Sequence, residues 1–152
     1  MCYYNKKRDT LMTKPELALQ YFNSGLNCCQ AVVLAFKDEI GLPEKELKKL
    51  SVAFGGGLGR QRLTCGAVSG MCMVLSYLLT DGDNKLAAYE IVQKACADFK
   101  AEVGSIICAE LLEGVTKDTS PVPDARTPEY YKKRPCGELC SIAASIAEKY
   151  LK

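Results

Sequence analysis

Apolar residues recur along this chain at the three-to-four-residue spacing of an α-helix almost throughout, and no stretch alternates at period two. The first run carries Leu17, Ala18, Tyr21 and Phe22. Thr13 and Glu16 open it as a capping-box pair, and Gly25 closes it. Asn27 and Gln30 open a second run through Ala31, Val32, Leu34, Ala35 and Ile40, which Gly41 ends. A third helix is predicted from Pro43 to Ala53, with Leu47, Leu50 and Phe54 on one side. A glycine-rich loop follows, Phe54-Gly55-Gly56-Gly57-Leu58-Gly59-Arg60. Thr64 then reads as the cap of an uncharged helix. Asp83 reads as the cap of the next, which carries Leu86, Ala87, Ile91, Ala95 and Phe99. Ser105 begins a shorter helix through Cys108 and Leu112. The last starts near Cys136 and runs through Ile142 and Ile146 to Tyr150. The pattern predicts an all-α, single-domain bundle of about six or seven helices over residues 13–152, behind a flexible N-terminal arm over 1–12.

Two stretches depart from this rhythm. Thr116 to Pro135 holds four prolines and many polar residues, and is expected to wrap over the surface. Leu63 to Thr80 passes eighteen residues without a charge, the lower edge of a membrane-spanning length. Thr64, Ser69, Ser76 and Thr80 interrupt it, and it has no second span to pair with. It reads as a buried central helix, and no membrane partner is expected. Gly66 and Gly70, four apart on this helix, would let a neighbouring helix pack closely.

Composition narrows the chemistry. The 152 residues are 48% hydrophobic and 25% charged, as in a globular domain, with a net charge of +2. The run Glu44, Lys45, Glu46, Lys48, Lys49 reads as a solvated helix face. Two basic spots lie beside tyrosines, Lys6, Lys7, Arg8 and Lys132, Lys133, Arg134. Each is too small an electrostatic footprint for nucleic acid, so none is expected as a partner. Histidine is absent, which removes His-based triads, the usual haem ligand and mixed Cys/His zinc fingers. Nine cysteines remain, an odd number at irregular spacing, which is not the pattern of a disulfide-stapled secreted domain. The charged residues from Lys6 to Asp9 have no apolar stretch behind them, so no signal peptide is expected. A cytoplasmic location follows as the expectation, with thiols that stay free, bind metal or cycle.

Four cysteines fall at predicted helix starts: Cys28 after Asn27, Cys65 after Thr64, Cys108 in the turn after Ser105, and Cys136 after Pro135. First-turn amides lack helical partners, and the helix dipole adds positive potential there. Both favour a thiolate, which is at once nucleophile and metal ligand. Cysteine is also a common small hydrophobe. Cys72 and Cys96, in mid-helix apolar settings, are expected in the core. Cys2 is taken as incidental, and Cys29 and Cys140 as resolving thiols beside stronger candidates. The loop residues Gly55, Gly56, Gly57, Gly59 and Arg60 are the candidates for cradling a cofactor, whose identity the chain does not name. No strand precedes them and no Walker lysine follows, so the favoured reading is a sharp turn towards the helix ends. Arg60 and Arg62 would add positive charge near the thiolates.

The residues Asn27-Cys28-Cys29-Gln30-Ala31-Val32, Gly55-Gly56-Gly57-Leu58-Gly59-Arg60, Cys65-Gly66-Ala67-Val68-Ser69-Gly70, Cys108 and Cys136 resemble the bacterial and archaeal family of redox-active proteins named for its C–GCAxxG–C–C pattern. The resemblance runs from about Leu17 to Ala147. It implies that Cys28, Cys65, Cys108 and Cys136 are the characteristic cysteines and supplies no substrate. Cys29 and Cys140 are extra to the pattern and leave open which thiols pair.

Three functions follow from these readings, and whether the protein is an enzyme stays open among them. The first is a thiol–disulfide redox protein, serving an unknown redox partner or small molecule and lacking the Cys-x-x-Cys of thioredoxins. The second is a module in which the same four thiolates hold zinc or an iron–sulfur cluster. The third is a non-catalytic helical interaction protein, with a homodimer as its expected form.

Overall fold

The structure, a computed structural model, describes residues 11–152. Cys2, the basic spot at Lys6 to Arg8 and most of the expected N-terminal arm lie outside the described residues. Leu11 is exposed, and Met12 packs against the core.

The all-α expectation holds. Nine helices make up the described residues: α1 (Lys14–Asn23), α2 (Cys28–Ala35), α3 (Lys37–Ile40), α4 (Glu44–Ser51), α5 (Gly66–Leu79), α6 (Lys85–Val103), α7 (Cys108–Leu111), α8 (Pro128–Lys133) and α9 (Cys136–Leu151). The one β-type contact among them is an isolated antiparallel bridge between Thr64 and Ile107. Both expected capping boxes are formed, Thr13 with Glu16 and Asn27 with Gln30. The count exceeds six or seven for two reasons. The second predicted helix breaks at Phe36 into α2 and α3, and the proline-rich segment contains α8, whose Pro128 sits in its first turn.

Several boundaries move. The third helix stops at Ser51, and Val52–Phe54 tightens into a 3₁₀ turn. Leu50, expected on the inner side with Leu47, is 62% exposed, while Leu47 is buried. The cap of α6 is Asn84 rather than Asp83: its Oδ1 accepts from the Ala87 amide at 3.1 Å. Asp81, in turn, accepts from the Asp83 and Asn84 amides. Removing that cap by Asn84→Ala is expected to cost about 1 kcal/mol, read from the urea midpoint, while Asp83→Ala changes it little.

The core lies where α9 packs on α1, α2 and α5, with α2 held between α1 and α5. Gly66 and Gly70 make the last contact possible, because α5 meets α2 backbone to backbone. A Cβ on Gly70 would stand 2.9 Å from the Cys29 carbonyl oxygen, and one on Gly66 would run into the Cys28 sulfur and the Phe54 carbonyl. The helix α6 packs on α5 and, more lightly, on α9, burying only Ala95 and Phe99. The eighteen uncharged residues belong to α5 and its approach, with Val68, Met71, Val74 and Leu75 buried. No helix among the described residues is long and apolar enough to cross a membrane.

Candidate functional site

The glycine-rich loop forms no cradle of the familiar kind. From Gly56 to Arg60 every residue has a positive φ (64°, 69°, 58°, 62° and 70°), and Arg62 follows at 62°. This is a short left-handed turn, closed by amide bonds from Arg60 to the Gly55 carbonyl and from Arg62 to that of Gly56. Left-handed backbone is costly for L-residues with a Cβ, and glycine at three of the five positions removes most of that cost. The strain left at Leu58, Arg60 and Arg62 is held by its surroundings. Asn27 packs against Gly55 and donates from Nδ2 to the Val52 carbonyl at 2.8 Å.

The residues after the turn run beside the approach to α7. The Cys65 amide donates to the Ile106 carbonyl (2.8 Å), the Cys108 amide to that of Leu63 (2.6 Å), and the Ala109 amide to that of Arg62 (3.0 Å). This pairing sets three local positions differently from expectation. Cys65 is itself the N-cap of α5, because the bridge engages Thr64. Ile107, not Ser105, is the N-cap of α7, so Cys108 is its first residue. Ser105 accepts from the Ile107 amide and bonds the Glu110 carboxylate instead. Cys28 and Cys136 open α2 and α9 as expected.

The four cysteines from these separate elements line one cavity of about 380 Å³. None is bonded to another. Cys28 and Cys136 each interact electrostatically with the other three sulfurs. Cys29 and Cys140, expected as resolving thiols, are fully buried behind this wall, with the Cys140 thiol directed at the Cys28 carbonyl at 3.6 Å. Among the described residues no three Cys, Asp or Glu side chains are grouped so as to hold a metal ion.

Helix-start amides alone would lower Cys28 and Cys65; burial reverses the outcome. Desolvation raises Cys28 despite the opposing amides of Gly56 and Cys29. It lifts Cys65 well above its ordinary value, against the amides of Val68 and Ala67. Cys136 is pushed up to about 12 by burial and by Cys28, with the Arg134 guanidinium pulling the other way. Taking an anion out of water costs more here than the first-turn dipoles return.

Arginines supply the rest of the wall. Arg60 is not free to face a thiolate: Nη1 meets the Asp124 carboxylate at 2.7 Å and Nη2 that of Asp118 at 3.1 Å. Arg134 shares Asp124 at 2.7 Å. Arg62 is different. It is 5% exposed, its Nε donates to the Asp118 carbonyl, Nη1 reaches the Cys108 sulfur at 3.9 Å, and Nη2 has no hydrogen-bond partner. Arg126 has no carboxylate partner among the described residues either. It donates to the Phe22 and Leu26 carbonyls at the end of α1 and lies over the Phe22 and Tyr130 rings.

Asp124, Arg126, Tyr130 and Arg134 all come from the proline-rich segment, so the expected surface wrap folds over the cavity and forms its roof. Sequence reasoning missed them. The signal available was the length of that segment, since long loops in compact domains are commonly functional. Of the loop candidates, Gly55, Gly56, Gly59 and Arg60 line the cavity, while Gly57 packs against Leu63 and Cys108 beneath it.

Fold and cavity together define an all-α protein whose four separated cysteines line one cavity beneath a roof that carries arginine. The family model described as "Putative redox-active protein (C_GCAxxG_C_C)" matches residues 26–150, and the chain belongs to that family. No curated protein and no solved structure matches it.

Proposed function

We infer that the cavity is a two-electron thiol redox site for a small anionic substrate, worked by Cys28 with one of Cys65, Cys108 or Cys136. The observation that carries this reading is the meeting of four unbonded thiols with a buried guanidinium whose Nη2 lacks a partner. A buried, unsatisfied cation is costly unless something completes its hydrogen bonds. A carboxylate or oxyanion entering the cavity does so, and Arg126 on the roof has no competing carboxylate. In the reaction, one thiol loses its proton and attacks a sulfur of the substrate disulfide, releasing one substrate thiolate. The second protein thiol then loses its proton, attacks the resulting mixed disulfide and releases the other. Two protein thiols become a disulfide and the substrate becomes two thiols. Burial keeps Cys28, Cys65 and Cys136 protonated and slow, which protects them until a substrate occupies the cavity.

The test uses the Cys2→Ser/Cys72→Ser/Cys96→Ser protein, which keeps the cavity thiols and, of the others, only the fully buried Cys29 and Cys140. Oxidised glutathione, an anionic disulfide, should remove two titratable thiols at least about ten times faster than cationic cystamine. Arg62→Met should erase most of that preference, and Cys28→Ser should abolish the loss of thiols. Equal rates for the two disulfides would remove the anionic substrate, and an unchanged thiol count would remove the redox reading.

A second reading is favoured by the donor set itself. Four cysteines around one cavity match the Cys₄ ligation of iron–sulfur clusters, and ligation ionises thiols that burial otherwise keeps protonated. The spread of the four sulfurs does not suit a single ion. Anaerobic reconstitution with ferrous iron and sulfide, followed by desalting, decides it: visible absorbance and bound iron lost in Cys65→Ser support the cluster.

A further inference from the structure

Outside the cavity, two cysteines that the sequence places in the core stand together. The Cys72 and Cys96 sulfurs are 3.8 Å apart, and both residues are only partly buried. We propose that Cys72 and Cys96 are a second dithiol, independent of the cavity, that closes to a disulfide between α5 and α6 and reopens by exchange with small disulfides.

Closure needs the sulfurs to approach to about 2.05 Å, a movement of under about 2 Å. The fold permits it at this place. The nineteen-residue α6 fully buries only Ala95 and Phe99, so few close-packed side chains stand against a small shift of Cys96 towards Cys72. The two thiols also divide their labour. Cys96 is held down at about 7 by the hydrogen bond from Cys72, and Cys72 is raised in return. Cys96 is therefore shifted towards the thiolate, while the cavity thiols Cys28, Cys65 and Cys136 are shifted away from it. A thiol whose pKa lies near ambient pH attacks disulfides fastest. Cys96 attacks one sulfur of a small disulfide and expels the first thiolate, which takes a proton from water. The Cys72 thiol then gives its proton to solvent, attacks the Cys96 sulfur and expels the second. The dithiol loses two electrons and the small disulfide gains them.

The experiment uses the reduced full-length protein exposed to oxidised glutathione at neutral pH, quenched with N-ethylmaleimide, digested with trypsin and analysed by mass spectrometry. A cross-link between the peptide from Leu63 to Lys85 and the peptide from Ala95 to Lys100 is expected, with fragmentation assigning it to Cys72 rather than Cys65. In the reduced protein, Cys96 should react with N-ethylmaleimide at least about tenfold faster than Cys28. The cross-link should raise the thermal midpoint by roughly 5–10 °C, and Cys96→Ser should lose that rise while keeping the fold. Equal alkylation rates, or a stable mixed disulfide on Cys96 without the cross-link, would overturn the proposal. The cavity reading is tested on protein lacking both cysteines, so either idea fails without the other.

Discussion

Raising the pH from 8 to 10 under reducing conditions is expected to strip this protein of much of its stability. Cys28, Cys29, Cys65, Cys136 and Cys140 are all raised in the fold, with burial the largest cause in each. In the unfolded chain the same thiols ionise near 9.0. A group raised by folding contributes stability in full below its unfolded value and loses it as the pH climbs towards its folded value. Above pH 9 the unfolded state therefore sheds protons that the folded state retains. Above pH 9 each such thiol withdraws about 1.4 kcal/mol per pH unit, and the five together withdraw about 7 kcal/mol per unit. Against a total stability of about 5–15 kcal/mol, one to two units suffice. Cys96 has the opposite sign, but it is only partly buried and its lowering is matched by the rise at Cys72. Urea midpoints at pH 7, 8, 9 and 10 check the claim, and Cys140→Ala should flatten the decline. A midpoint constant across that range would mean that the sulfurs are already ionised inside the fold.

Gly57→Ala should be strongly damaging, because strain and collision coincide there. The φ there is +69°, where an L-side chain is strained by about 1–2 kcal/mol. The added Cβ would also lie 2.6 Å from the Leu63 amide nitrogen and 2.7 Å from the Cys108 Cβ. The first is backbone already committed to the Gly57 carbonyl, so neither neighbour has room to give. With overpacking added, the expected loss is about 3 kcal/mol or more, a fall of roughly 10 °C in thermal midpoint. Gly25→Ala separates the two causes, because φ is +107° there and nothing lies within 4 Å. Its smaller loss would isolate strain alone. Similar losses at both positions would show that the collision at Gly57 is relieved.

What the sequence disclosed was mostly local. Thr13 with Glu16 and Asn27 with Gln30 could be read as helix starts because each pair closes within three residues. Gly66 and Gly70 pointed to close packing because only their own missing side chains matter. The misplaced features depend on distant partners. Thr64 lost its capping role to a bridge with Ile107, and Leu50 faces solvent because the chain turns at Ser51. Arg126 reaches the Phe22 carbonyl across 104 residues of sequence, and no periodicity announces that. Cys72 and Cys96 looked like separate core residues until α5 and α6 were set side by side. The direction of the thiol shifts was misjudged for a related reason: helix starts can be read from spacing, whereas the water excluded from the cavity depends on a roof supplied by the proline-rich segment.

The backwards-wound turn also limits how this part of the chain can vary. Ribosomes assemble amino acids of one hand, with a single achiral exception, so a bend of the opposite hand can be spelled in very few ways. Of the five residues from Gly56 to Arg60, only two carry side chains, Leu58 reaching solvent and Arg60 its carboxylates at the cavity wall. The other three letters have no mirror-image synonym in the code. Whatever the cavity accepts, the spelling of its floor is dictated by stereochemistry before chemistry has any say.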